Sequence, residues 1–199
     1  MKPSLKNIFF SKYSLLLPAA ALFLLSNFFN SYYSNSSSLV RNGQALQQYI
    51  HNMERAVNAF YTDTATIKKL INENETLPEF ENITKSGFGV YLYTNDFYGN
   101  YTLRFWSDQR VVPDSMAFRY EDGEHYQKLP NGYYETIKRK IFLSDADSVT
   151  AVSLIPIQYD FYVENENLGN NFIYDKKADQ KIIISKDKDT TDFPIRTLT

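Results

Sequence analysis

The spacing of apolar positions changes character twice along this chain. Residues 13–29 read YSLLLPAAALFLLSNFF, an apolar run without a polar face, and no charged residue occurs anywhere in 13–40. Seventeen residues of helix span roughly 25 Å, the short end of what crosses a bilayer. After a polar spacer at 34–38, Leu46, Ile50, Met53, Val57, Phe60, Thr64, Ile67 and Ile71 follow one another by four and three residues. Seven of these eight are apolar, so the spacing predicts one long amphipathic helix over residues 38–76, with NENET (72–76) as its end.

From residue 88 the period becomes two. FGVYLYT (88–94) and YTLRFWS (101–107) flank the turn-forming NDFYGN and read as a hairpin. GYYETIKRKIF (132–142) follows a Pro-Asn-Gly turn, VTAVSLIPI (149–157) is the most apolar run, and KIIIS (181–185) is a short last strand. Pro156 is expected at a strand end, because proline removes a ladder donor. Residues 111–129 read as a polar crossover, and 158–171 has a weak helical look. A helix followed by about five mainly antiparallel strands is an α+β domain.

Lys2, Lys6 and Lys12 precede the apolar run with no acid among them. By the positive-inside rule this puts residues 1–12 in the cytoplasm, makes 13–29 the transmembrane anchor, and exports the rest. A cleaved signal peptide is the alternative, with Ala19–Ala21 as the small residues; the apolar run continuing through Leu22–Leu25 and Phe28–Phe29 favours the anchor. The expected organisation is then a juxtamembrane helix (38–76) and an extracytoplasmic domain (77–199), with the chain stopping before a second membrane helix. That is a single-pass inner-membrane protein with its bulk in the periplasm.

Composition narrows the chemistry. The net charge is −2, with no basic stripe, which argues against nucleic acid as a partner. With no cysteine and only His51 and His125, neither a thiol nor a histidine-rich metal centre is expected, and no cofactor or metal is called. No nucleotide-binding or hydrolase motif occurs, so catalysis is not expected of these residues. His51 reads as a solvated helix residue, Asp145 and Asp147 as a solvated turn. The stripe Leu46, Ile50, Met53, Val57, Phe60, Ile67 and Ile71 fits either packing on the chain's own domain or the seam of a homodimer. In RFWSDQR (104–110), Trp106 stands between Arg104 and Arg110. A ring beside cations suits a small anionic or zwitterionic ligand; the alternative is a core tryptophan with two surface arginines.

FWSDQRVVPD, LPNGYYE and VSLIPIQYDFYVENENLGNNF together resemble the extracytoplasmic input region of membrane-bound sensor histidine kinases of the Bacteroidetes type. The matching positions are Trp106, Ser107 and Asp108, then Asn131, Gly132 and Tyr134, then Leu154, Ile155, Pro156, Ile157 and Tyr159, and finally Asn165, Asn167, Leu168 and Phe172. Gln109, Gln158 and the Glu166–Leu168 stretch depart from the pattern. The resemblance implies a PAS/Cache-like sensor domain that binds a ligand or periplasmic protein and signals through membrane helices. The kinase boxes do not occur in these residues. A chemotaxis receptor or nucleotide cyclase output is an alternative, as is a membrane-tethered envelope protein without ligand.

Overall fold

The computed structural model describes residues 16–32, 35–74, 76–95, 99–113, 115–145, 147–163, 168–176 and 178. The chain divides into two compact units that part between Gln44 and Ala45.

The first unit holds helix α1 (Leu16–Tyr32) and the start of α2 (Asn35–Thr62). The apolar residues of α1 are exposed all round it: Leu22, Phe23 and Leu24 each keep about two thirds of their surface (67%, 70% and 69%). Among the described residues, however, no helix is long and apolar enough to cross a membrane. Of the expected span at 13–29, the structure describes only the part from Leu16 onward. The described helix has 17 residues and runs on through Ser26, Asn27, Asn30 and Ser31, which dilute its apolar character; residues 13–15 lie outside the described part.

The second unit is built on one antiparallel five-stranded sheet in the order β2-β1-β5-β4-β3. The strands are β1 (Gly89–Asn95), β2 (Tyr101–Trp106), β3 (Gly123–Leu129), β4 (Gly132–Phe142) and β5 (Ser148–Tyr159). As its apolar run demands, β5 is central, and every residue from Val149 to Ile157 is buried. On one face lie α2, α3 (Thr64–Ile71) and α4 (Leu77–Thr84); Val57, Ile67 and Leu70 from the helices pack against Leu92, Ile137 and Ile155. The other face is covered by the segment between β2 and β3, where Val111 and Ala117 meet Tyr91, Val152 and Leu154. Phe118, closing a short 3-10 turn (Ser115–Phe118), stacks on Tyr101 at 4.4 Å and meets the Tyr93 ring edge-on at 4.8 Å.

Several expectations need correction. The single helix expected over 38–76 is two helices, α2 and α3, with α4 following them. Asp63 breaks it by capping α3: its carboxylate accepts from the Thr66 N–H at 3.0 Å and the Thr66 hydroxyl at 2.7 Å. Thr64, the one polar position of the stripe, is therefore the first residue of a new helix. Pro78 sits in the first turn of α4, where Glu79 Oε2 accepts from the Thr76 N–H at 2.8 Å and from its hydroxyl at 3.0 Å. The stripe itself turns onto the sheet of its own chain. Val57 and Ile67 are fully buried, Leu46 keeps 4% of its surface, and Met53, Phe60 and Ile71 pack against the core. Ile50 is half-buried. Val57 and Ile67 thus have no surface left to offer a second copy.

Among the strands, β3 lies where the sequence predicts a polar crossover, and 181–185 lies outside the described residues. Pro156 is not at the end of β5. A bulge pairs Tyr133 with Gln158 and Tyr134 with Pro156, leaving Ile157 as the extra residue. The described parts of 158–171 are not helical: Gln158 and Tyr159 extend β5, and Tyr159 N–H donates to Asn171 O at 3.0 Å. Phe172, bridged to Gln158, is 1% exposed.

Candidate functional site

The residues after β2 hold the most densely bonded polar cluster of the domain. Ser107 continues the ladder beyond Trp106, its N–H on Val90 O at 2.9 Å and its hydroxyl accepting the Val90 N–H at 2.9 Å. The chain then turns on Asp108, whose Oδ1 accepts the Arg110 N–H at 2.9 Å. The same carboxylate grips the Arg110 side chain, Nε donating at 3.0 Å and Nη2 at 2.8 Å. Arg110 Nη1 donates to the Tyr159 hydroxyl, and the guanidinium lies 5.6 Å from the Tyr159 ring centroid.

Four tyrosines from four elements converge here. The Tyr91 hydroxyl reaches the carbonyls of Asp108 (3.1 Å) and Val111, so β1 fixes the turn from beneath. Tyr134 donates to Asn131 Oδ1 at 3.1 Å, and Asn131 Nδ2 donates to Arg110 O at 3.4 Å, tying in the β3–β4 turn. Tyr49 of α2 donates to Pro156 O at 2.9 Å and lies close enough to feel both Tyr159 and Arg110. Burial raises the ionisation of all four phenols above the usual tyrosine value, with Arg110 pulling each of them back. They are therefore neutral hydroxyls at neutral pH. Arg110 is a fixed cation, its pKa raised above the ordinary arginine value chiefly by the Asp108 bonds.

Beside this cluster opens a cleft of about 260 Å³, lined by Thr84, Gly87, Phe88, Ser107, Asp108 and Arg110. That is below the ~300–1,000 Å³ of pockets for drug-sized molecules, so it admits a ligand of few heavy atoms. Gly87, at φ +86°, makes the turn from α4 into β1 in a conformation other residues resist.

The sequence expectation grouped Arg104, Trp106 and Arg110 in one pocket; the structure places only Arg110 on this cleft. Arg104 is the extra residue of a bulge between β1 and β2, and its Nε donates to Thr94 at 3.1 Å. Trp106 keeps 48% of its surface, so it is not a core ring. Neither residue lines the cleft, and no cation stacks on Trp106 among the described residues. The converging tyrosines were missed because Tyr91 and Tyr134 sit in apolar strand runs, where a ring reads as core. Only the register of β1, β4 and β5 brings Tyr91 to the Asp108–Val111 turn and Tyr134 to Asn131, whose amide bonds Arg110 O.

A second cluster lies on the helix face of the sheet. Glu135 of β4 faces Glu54 of α2, and Glu135 Oε2 is buried without a hydrogen-bond partner among the described residues. Burial first, then the charge and hydrogen bonding of Glu54, and last the charge of Glu124, push the Glu135 carboxyl up to about 8. No group of three or more metal-ligating side chains occurs among the described residues.

No protein-family model matches the chain, and comparison with curated proteins and with solved structures likewise returns no match.

Proposed function

We propose that the chain is the extracytoplasmic signal-input module of a membrane-bound sensor histidine kinase, taking a small anionic or zwitterionic ligand at the Arg110 cleft. The observation that carries this reading is the position of α2. Only two residues separate it in sequence from the exposed apolar helix α1. Its Tyr49 is bonded to the strand that carries Tyr159, the partner of Arg110. A ligand that draws Arg110 away from Asp108 and Tyr159 changes the surroundings of Tyr49, and so acts on the helix continuous with the N-terminal segment. The all-round exposure of Leu22, Phe23 and Leu24 supports attachment of that segment to lipid, and the three lysines before it support export of the domain.

Trp106 is the only tryptophan and stands next to cleft-lining Ser107, so its fluorescence reports on the cleft. Titrating the full chain with glutamate, succinate and phosphate in turn is expected to give a saturable change for at least one of them. Arg110→Gln is expected to weaken that binding by about 1–3 kcal/mol, roughly 5- to 150-fold, as for a lost charged hydrogen bond. Binding that Arg110→Gln leaves unchanged, or no response to any probe, contradicts the reading and favours a tethered protein without ligand.

A further inference from the structure

The Glu54–Glu135 contact has no part in the Arg110 cleft, and it leaves Glu135 Oε2 buried without a hydrogen-bond partner among the described residues. Two carboxyls from different elements meet beneath α2, and no cation answers them among the described residues. The charged and titratable groups around Glu135 can be named element by element. From α2 comes Glu54. On β3, Tyr126 lies directly opposite Glu135, with Glu124 two residues before Tyr126. On β4, Tyr133 and Arg139 share the same face, but Arg139 Nη2 is taken by Glu124 at 2.7 Å and its Nη1 by the Lys138 carbonyl at 3.3 Å. On β5 the opposite residue is Ile155, which is fully buried. The nearest lysine on β3, Lys128, is held by Asp160 at 2.9 Å and lies over the Tyr133 ring at 4.9 Å.

We propose that Glu54 and Glu135 form a proton-operated latch that holds the middle of α2 on the sheet when one proton is shared between them and loosens it when both are ionised. With the proton present, one carboxyl donates to the other and the buried oxygens carry a single negative charge. Without it, two like charges face each other in a half-buried site, and the cheapest relief is to move Glu54, and hence α2, toward water. The sheet side cannot give way, because β4 is paired on both edges. Glu135 protonates near neutrality, so the latch works in the range where an exported domain meets changes of external pH. The latch is a property of the folded domain and stands apart from ligand binding at Arg110. Its use as a pH input does rest on the proposed sensor role.

Hydrogen exchange of the α2 amides in the full chain tests it, compared at about pH 5.5 and pH 9 after correction for intrinsic chemical rates. In the wild type, protection around Glu54 is expected to fall by roughly tenfold or more at the higher pH. Glu135→Gln, whose amide imitates the protonated acid, is expected to hold protection constant. Glu54→Gln is the second variant with the same expectation, should the first fail to fold. His51→Gln, altering an exposed side chain three residues from Glu54 on α2, is expected to keep the wild-type response. Equal protection at both pH values in the wild type, a response surviving in both glutamine variants, or one abolished by His51→Gln overturns the latch. If neither glutamine variant folds, the carbon-13 carboxyl titration of Glu135 in the wild type decides: a midpoint in the ordinary glutamate range overturns it. None of these outcomes depends on anion binding, so the latch and the sensor reading can fail separately.

Discussion

Single side chains decide how this domain can be altered. Gly132 closes the β3–β4 turn at φ +153°, and a Cβ there would lie 2.3 Å from the Gln158 carbonyl oxygen. Because that neighbour is the backbone of the central strand, it cannot step aside; Gly132→Ala is expected to cost several kcal/mol, on the order of the largest single-residue effects. A denaturant midpoint close to wild type would contradict this. Trp106→Ala should behave oppositely. With half its surface exposed, its removal is expected to change stability by about 0.5 kcal/mol or less, whereas unfolding would restore the core-ring reading. Glu135 sets a pH dependence whose sign is fixed. Its carboxyl is raised above the unfolded value, so the folded state holds the extra proton between about 4.5 and about 8. Stability is expected to decline as pH rises through that window and to level off above it. Thermal melts of wild type and Glu135→Gln check this, the variant losing that decline.

At the scale of elements, α2 is the piece on which the other arguments converge. Val57 sits with no exposed surface against the sheet, and the Tyr61 hydroxyl bonds Ile137 O at 2.9 Å and Ser153 Oγ at 2.8 Å. Val57→Glu is therefore expected to unfold the domain, since an unpaired buried charge costs several kcal/mol. A folded variant that only loses self-association, by mass measurement, would return the stripe to a dimer seam. The stripe was legible in the sequence because a 3.6-residue period survives any packing partner; what it packs on was not, because a seam and a core face share that period. Strands β1, β2 and β4 were legible from their two-residue alternation and aromatic content, and β5 from its continuous apolar run. Strand β3 was not: GEHYQKL is polar at an edge, and only Gln127 and Leu129 of it are buried. The α4 start was legible in principle, as Thr-Leu-Pro-Glu is a capping box followed through, yet the proline reads first as a breaker. Thr76→Ala is expected to cost about 1 kcal/mol.

For the whole molecule, the site followed the same division. Arg110 stood out in the sequence because a charged residue next to an aromatic strand end is chemically conspicuous. Its bonding to Asp108 and Tyr159 did not, since Asp108 grips it only through the turn and Tyr159 comes from β5 and meets it through the sheet register. The Glu54–Glu135 pair was invisible for the same reason: 81 positions separate the two residues. The proposed sensor role requires that this domain stand outside a membrane, held by its N-terminal segment. The most direct measurement fuses alkaline phosphatase, active only when exported, after the exposed Asn74, with a cytoplasm-dependent fluorescent protein at the same point as its complement. The account predicts phosphatase activity in the membrane fraction and a dark fluorescent fusion. A bright fluorescent fusion with inactive phosphatase would place the domain in the cytoplasm and contradict the sensor reading outright.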